Sequence, residues 1–211
     1  MTDALTADAL TTEAMQAELD RLYQPPKPTT VAKSLDRIDP HGRRFIELSP
    51  FVVVGSVSEA GVDVSPRGGG PGFVRVGDDG LSVLMPDRPG NNRLDTLKNI
   101  AASGEVGLMF MIPGVDDIYR VNGTAGLVSD EALCAQFEEF GKIPKALLRV
   151  AVREAFLHCP KALMRADLWG ETHRVERTSL PTLYEMISDQ LNLAKPVTTQ
   201  AEEVANARKT L

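Results

Sequence analysis

The sequence has few cysteines and no long apolar run, and each shortage excludes a class of protein. Its two cysteines, Cys134 and Cys159, have neither the CxxC spacing nor the neighbouring ligands of a zinc site. We therefore expect neither a disulfide nor a bound metal, and a reducing, cytoplasmic location. No stretch approaches the roughly 20 apolar residues of a membrane helix, and the N-terminus does not resemble a secretory signal. Contact with a membrane is not expected.

The sequence also lacks an excess of positive charge, because 29 acidic residues outnumber 23 basic ones and the formal net charge is −6 at pH 7. Nucleic-acid binding depends mainly on basic surfaces that neutralise phosphates, so nucleic acid is not an expected partner. A local basic pocket for a small anion remains compatible with this charge. With 211 residues, of which 43% are hydrophobic, the chain can bury the core of one globular domain and carry an additional element.

Proline and polar segments divide the chain into three predicted parts. Residues 1–30 form an N-terminal arm, in which a helix over residues 10–23 places Met15, Leu19 and Leu22 on one face before a proline-rich linker. Residues 31–192 form the main domain with its C-terminal helices, of which the last is expected to dock through Leu183, Ile187 and Leu191. Residues 193–211 form a polar tail that we expect to fray. The apolar face of the arm needs a partner surface, either on its own domain or on a second subunit.

Short β-rich runs separated by turn residues predict a mainly antiparallel sheet in the main domain. The six runs from residue 51 onward read as a meander that closes or nearly closes on itself, and a longer strand follows the last of them. These strands are predicted over residues 51–58, 62–64, 73–76, 81–85, 106–112, 118–128 and 147–158. Helices are predicted after Asp39, with Phe45, Ile46 and Leu48 buried, and also after residues 92, 130 and 160 and over residues 183–191.

A glycine-rich segment over residues 65–72 is the first candidate binding site. It contains Ser65, Arg67 and three consecutive glycines, whose lack of Cβ atoms lets a backbone approach a ligand closely. The planar guanidinium of Arg67 can bind a phosphate through two hydrogen bonds. The alternative is a flexible hairpin loop with a solvated arginine, and this segment alone does not separate the two interpretations.

A second candidate site precedes a predicted helix and comprises Asp87, Arg88, Asn91, Asn92 and Arg93. Free amides at a helix N-terminus attract anions, whereas a cation in the first turn opposes the helix dipole. Arg93 in that turn therefore suggests an anion between the guanidinium and the amides. The alternative is an asparagine N-cap beside an exposed arginine. Two such sites in one sheet favour a shared anion.

Arg120 and Trp169 are weaker candidates. Strand alternation places Arg120 on the same face as Asn122, where the pair lines a cleft or simply faces solvent. Trp169 is the only tryptophan, and it either stacks on a planar ring or, as its size favours, seals the core. His158 and Cys159 point to opposite faces of a strand, so they do not form a catalytic pair. No catalytic residue is identified.

Taken together, several motifs resemble the pyridoxamine 5′-phosphate oxidase-related FMN-binding proteins, within the split-barrel flavin and deazaflavin oxidoreductases. The motifs lie at residues 48–51, 63–68, 71–73, 86–93, 120–123 and 158–162. The resemblance implies a mainly β fold with flanking helices, namely a six-stranded antiparallel split barrel. It also implies a homodimer with FMN bound at the subunit interface and a small-molecule substrate.

The resemblance further implies roles for individual residues. Arg67, Asn92 and Arg93 correspond to the residues that hold the FMN phosphate, with Ser65 and Asn91 beside them. Asp87 and Arg88 would lie beside the ribityl chain or the ring. Arg120 matches an arginine of a later strand, and Trp169 falls where an aromatic side chain of the partner subunit could approach the ring.

The chain departs from the pyridoxamine 5′-phosphate oxidases themselves at two points. Gly77 stands near the place of their conserved strand-terminal lysine, and His173 precedes Arg174 where they have an Arg-x-His element. We therefore expect FMN-dependent redox chemistry on another substrate. The alternatives are a barrel that binds deazaflavin F420 or haem, and a non-catalytic flavin-binding dimer.

Overall fold

The computed structural model describes residues 11–195 and 197–211. The contacts between residues divide the chain into two compact units, with the boundary between Ser34 and Leu35. The described part of the first unit contains helices α1 (Thr12–Leu22) and α2 (Pro28–Ala32). Leu10, where the predicted arm helix begins, lies outside the described residues. Helix α1 has no buried residue, so its Met15, Leu19 and Leu22 form an exposed apolar stripe.

The second unit is built on one antiparallel sheet of seven strands in the order β2-β1-β5-β6-β7-β4-β3. The strands are β1 (Phe51–Ser58), β2 (Gly61–Gly68), β3 (Arg75–Val76), β4 (Ser82–Asp87), β5 (Glu105–Ile112), β6 (Val115–Val128) and β7 (Ala146–His158). The mainly β prediction is confirmed. The sheet has seven strands rather than the six implied by the resemblance, and the two-residue β3 is a short edge strand.

The predicted meander is wrong, because the sheet order does not follow the chain. β1 pairs with β5, and β4 pairs with β7. The loop after β2 crosses to the opposite edge of the sheet, and the chain between β4 and β5 includes a helix, α4 (Asp95–Ser103). Residues 69–74 suffice for the first connection because the curved sheet brings its two edges close together. Residues 88–104 form the longer second connection, which carries the chain from β4 to β5 beside β1.

The sheet wraps around the larger of two apolar clusters in the described residues. Val52 and Val54 of β1 belong to the same buried cluster as Val83 and Met85 of β4, although three strands separate β1 from β4 in the sheet. Within the described residues no strand pairing joins β2 to β3, so the barrel is split between them.

Gly123 lies at a β-bulge in β6, where an added Cβ would be 2.0 Å from the carbonyl oxygen of Ala151. Only glycine permits this close approach of the two strands.

Helices flank the barrel. Asp39 caps α3 (Pro40–Leu48) by accepting a hydrogen bond from the amide of Gly42, as its sequence predicts. Ile46 is fully buried and Phe45 is partly buried, but Leu48 is exposed, contrary to prediction. Two residues advance a helix by about 200°, so Ile46 and Leu48 face nearly opposite directions. The remaining helices are α5 (Glu131–Ala135), α6 (Lys161–Ala166), α7 (Leu183–Leu191) and α8 (Gln200–Arg208), with a 3₁₀ turn over Arg177–Ser179.

The C-terminal region differs from its prediction in two ways. Thr199 and Glu202 form a reciprocal capping box that starts α8, so the tail is helical where fraying was expected. The predicted docking face of α7 is largely exposed at Leu183 and Leu191, and Ser188 is the buried residue of that helix. No helix in the described part of the chain is long and apolar enough to cross a membrane.

Candidate functional site

A cleft of about 1110 Å³ opens where the end of β2, the end of β4 and the start of α4 meet. It is lined by seven of the nine predicted site residues: Ser65, Arg67, Asp87, Arg88, Asn91, Asn92 and Arg93. Five cationic and three acidic side chains line it, although the whole chain has a net charge of −6. The cleft therefore favours an anionic ligand more than the average surface does.

The wrapped sheet explains why distant segments meet here. β2 is one edge of the sheet, while β4 lies next to the other edge. Curvature brings these two ends together, and α4 packs against β1 and β2. The last residue of β4, Asp87, is paired with Ala146 of β7, which brings residues 142–146 to the same cleft.

Strand β2 has a polar face toward the cleft and an apolar face toward solvent. Asp63, Ser65 and Arg67 are partly buried, whereas Val62 and Val64 are exposed. This is the reverse of the usual alternation for a strand that covers a core. The β-branched, alternating sequence is typical of a strand, but it does not reveal which face is inward.

Arg67 projects into the cleft and is held by two hydrogen bonds. Its Nη1 donates to the carbonyl oxygen of Pro66 at 2.9 Å, and its Nη2 donates to Oγ1 of Thr96 at 3.2 Å. Thr96 in turn donates to Oδ2 of Asp63 at 2.9 Å. Asp63 and Thr96 line the cleft, and the sequence analysis missed both. Asp63 had a sequence signal as the first residue of the motif at residues 63–68, whereas Thr96 had only its position three residues after Arg93.

Helix α4 begins later than predicted. Leu94, in the left-handed conformation with φ 60°, is the N-cap, so Arg93 precedes the helix and does not lie in its first turn. The predicted asparagine cap is also wrong, since Asn91 Oδ1 accepts from the amide of Arg93 instead. Arg93 is paired with Asp95 at 2.8 Å, so the dipole argument for an anion at Arg93 no longer applies.

The N-terminus of α4 nevertheless has an anion-binding character of its own. No described side chain caps it, and Leu94, Asp95, Thr96 and Leu97 line the cleft. The first amides of a helix lack partners within the helix and carry partial positive charge. Together with Arg67, these amides form the part of the cleft that fits a phosphate.

Arg88 lines the cleft and also makes hydrogen bonds within the protein. Its Nη2 donates to the carbonyl oxygen of Phe137 and to Oε2 of Glu139, both at 2.9 Å. Glu139 also accepts the amide of Gly70 at 2.6 Å. Arg88 and Glu139 thus connect the end of β4 and the glycine-rich loop to residues 137–142.

The three glycines after Arg67 are explained mainly by contacts within the protein. A Cβ on Gly69 would lie 2.6 Å from Cβ of Phe73, and one on Gly70 would lie 3.0 Å from Oε1 of Glu139. Gly68 lines the cleft, but Gly69 and Gly70 do not. The expected close approach of this backbone to a ligand is therefore limited to Gly68.

Asp87 is a carboxylate that lines the cleft. Burial raises its pKa, and the positive charge of Arg67 partly opposes that increase. A half-buried carboxyl group beside an arginine can accept hydrogen bonds from ligand hydroxyls, and it is neutralised more easily than an exposed aspartate.

Arg120 and Trp169 are not among the residues that line the cleft. The guanidinium carbon of Arg120 lies 5.2 Å from the centre of the Phe156 ring. Trp169 is exposed and donates its indole N–H to the carbonyl oxygen of Val115 at 2.9 Å. The interpretation of Trp169 as a core residue is therefore wrong.

Within the described residues, no cluster of histidine, cysteine and acidic side chains could hold a metal ion.

Comparisons with known proteins place these observations in a family. A family model described as pyridoxamine 5′-phosphate oxidase matches residues 38–159. No curated protein matches the chain.

Several solved structures are similar to this chain. HupZ of Group A Streptococcus is 21% identical, with a TM-score of 0.47 over 57% of this chain and 93% of that chain. A Lactobacillus delbrueckii protein named after pyridoxamine 5′-phosphate oxidase is 17% identical, with a TM-score of 0.44 over 58% and 95%. An FAD-binding protein of Mycobacterium smegmatis is 14% identical, with a TM-score of 0.40 over 59% and 97%.

The family match covers more than half of the chain and contains all seven predicted site residues that line the cleft. It confirms the resemblance inferred from the motifs. The chain belongs to the pyridoxamine 5′-phosphate oxidase family.

Proposed function

We propose that this protein binds FMN in the cleft between β2, β4 and α4 and acts as an FMN-dependent oxidoreductase. The observation that carries the proposal is the convergence of Arg67 with the uncapped N-terminus of α4 on one cleft. A terminal phosphate is a dianion that both features would stabilise. Membership of the family supports the same ligand class.

Arg67 would be the principal phosphate ligand. Its guanidinium is already oriented by Pro66 and Thr96, so less side-chain entropy is lost when an anion binds. Arg93 would contribute a second positive charge after exchanging its exposed ion pair with Asp95 for the phosphate, because such surface pairs are weak. Ser65, Asn91 and Asn92 would supply hydrogen bonds from the walls of the cleft.

The remaining part of the cleft would hold the ribityl chain and the ring. Asp87 would accept hydrogen bonds from ribityl hydroxyls, and Phe73, Leu127 and Ile143 provide apolar lining for a planar ring. A bound flavin supplies hydride or electron transfer, while the protein binds it, orients it and excludes water. Arg88 would support the site by holding residues 137–142 in place.

We also propose that the functional unit is a homodimer. The exposed Val62 and Val64 on edge strand β2 lie on the outer face opposite Asp63 and Ser65, beside the cleft. Covering this apolar face with a second copy would remove it from water and bring partner residues near the cofactor. Trp169 remains a predicted contact from the partner subunit.

The absorbance spectrum of the purified protein tests the cofactor assignment. We expect a yellow protein with flavin absorbance, and release of FMN on denaturation, identified by chromatography. A deazaflavin or haem spectrum, or no binding when FMN is added to the colourless protein, would contradict the proposal. Reduction of the bound flavin by NADH or NADPH, followed by anaerobic reoxidation with candidate acceptors, separates an enzyme from a non-catalytic binder.

Substitution of the two cleft arginines tests the phosphate site. Arg67→Ala and Arg93→Ala should each weaken FMN binding, and Arg67→Ala should do so more strongly because Arg93 is largely exposed. Arg174→Ala is a matched control, since Arg93 and Arg174 are 75% and 72% exposed and each is paired with one acidic side chain. Equal FMN affinity in all three variants would refute the site.

A further inference from the structure

A short chain of hydrogen bonds lies behind Arg67. Arg67 donates to Thr96, Thr96 donates to Asp63, and Ser65 donates to the same Oδ2 of Asp63 at 2.9 Å. Thr96 lines the cleft together with Arg67, but it is only 2% exposed. The chain therefore links a buried hydroxyl group to the proposed phosphate ligand.

The direction of these bonds follows from the chemistry of the groups. An arginine side chain has no acceptor, so Oγ1 of Thr96 must accept from Arg67. The hydroxyl group has one proton, which is then available only for the carboxylate of Asp63. Asp63 thus orients the Thr96 hydroxyl group so that its lone pair faces Arg67.

We propose that Thr96 and Asp63 are positioning residues that set the preference of this site for a phosphorylated flavin. The inference rests on the proposed FMN function and assigns to Thr96 and Asp63 a role that acts through Arg67. Asp63 makes no hydrogen bond to Arg67 among those of the described residues, so the guanidinium keeps donors for a phosphate. Thr96 holds it in one orientation, which lowers the entropy lost on binding.

The alternative is that Thr96 is simply a buried hydroxyl group whose hydrogen bonds stabilise the fold. The two roles differ in what they affect. A stabilising role predicts lower thermal stability with no change in ligand preference. A positioning role predicts a loss of affinity that is confined to ligands with a phosphate.

Riboflavin and FMN separate these roles, because they differ only in the phosphate. The ratio of the riboflavin Kd to the FMN Kd, measured by quenching of flavin fluorescence, isolates the phosphate contribution. Thr96→Val keeps the shape of the side chain but removes the hydroxyl group. We expect it to lower the ratio by up to about tenfold, because the freed Arg67 side chain must then be ordered when the phosphate binds, with the riboflavin Kd unchanged.

Two further variants serve as controls. Thr96→Ser retains the hydroxyl group and should restore the ratio of the wild type. Ser103→Ala removes a hydroxyl group from the opposite end of the same helix, where it bonds the carbonyl oxygens of Val57 and Asn99, and should leave the ratio unchanged. A folded Thr96→Val variant with the ratio of the wild type would overturn the inference.

Asp63→Ala tests the same chain from its other end. Asp63 lies on an edge strand and is only partly buried, so this variant folds even if Thr96→Val does not. It should also lower the ratio, and the double variant should be no worse than either single variant because both break one chain. An unchanged ratio in Asp63→Ala, or full additivity in the double variant, would contradict the inference. A wild-type protein without preference for FMN over riboflavin would instead refute the proposed function.

Discussion

Replacement of Arg88 by alanine distinguishes a structural arginine from a ligand-binding one. Arg88 lines the cleft and was predicted to contact the cofactor, yet its Nη2 is bonded to Phe137 and Glu139. The side chains of Arg88 and Glu139 are 19% and 23% exposed, so their ion pair is only weakly screened by solvent. Arg88→Ala should therefore affect stability more than FMN affinity.

The expected loss of stability in Arg88→Ala follows from the hydrogen bonds that the substitution removes. Each hydrogen bond to a charged group contributes about 1.5–3 kcal/mol, and Arg88 donates two at 2.9 Å and a longer one at 3.3 Å to Lys142. The buried Nε of Arg88 has no hydrogen-bond partner among the described residues, which offsets about 1–3 kcal/mol of this gain. With the middle of each range, about 4.5 kcal/mol for the two shorter bonds less about 2 kcal/mol for Nε, the net loss is about 2–3 kcal/mol, or a decrease in Tm of about 4–12 °C for a chain of this length.

Thermal unfolding followed by circular dichroism measures the loss, and FMN titration of the same samples measures binding. Arg44→Ala, which removes an exposed arginine paired with Glu47 at 3.5 Å, should leave Tm nearly unchanged. Glu139→Gln keeps an acceptor for Gly70 and should cost less than Arg88→Ala. If Arg88→Ala kept the Tm of the wild type but lost FMN affinity as strongly as Arg67→Ala, the structural role would be refuted.

Two further predictions concern the barrel and the cleft. Gly123→Ala places a Cβ 2.0 Å from the carbonyl oxygen of Ala151 and should destabilise the fold by more than about 2 kcal/mol, whereas Gly126→Ala meets nothing within 4 Å and should be neutral. Equal urea midpoints for these two variants would contradict the bulge argument. Burial raises the pKa of Asp87, so its contribution to stability is present at low pH and is lost as pH rises through the folded-state pKa. Asp87→Asn should therefore be more stable than the wild type at neutral pH, and this advantage should disappear below the ordinary pKa of aspartate. If the stability advantage of Asp87→Asn instead grew as the pH fell, the pKa of Asp87 would be lowered in the folded state, contrary to the prediction.

Local sequence patterns predicted most elements of this fold. The seven predicted strands are all present, and β1 has the predicted bounds, because turn residues and β-branched runs act over a few neighbouring positions. Asp39 and Pro40 mark the start of α3 for the same reason. Thr199 and Glu202 had an equally local signature, which the prediction of a fraying tail overlooked.

The order of the strands and the roles of several side chains were not predictable in this way. The pairing of β4 with β7 depends on long connections that the turns do not specify. The resemblance to the family placed Arg88 beside the ribityl chain or the ring of the flavin, but it did not indicate which protein groups Arg88 contacts. Its actual partners are about 50 positions away in the chain.

The sequence by itself determined which segments form strands and helices, and its motifs identified the family, because these depend on neighbouring residues and on whole segments. Only the tertiary structure decided which residues share the cleft. The curvature of the sheet brings β2 and β4 together, orients Arg67 through Thr96 and Asp63, and directs Arg88 toward Glu139. Such contacts depend on distances between remote residues, which no local pattern specifies.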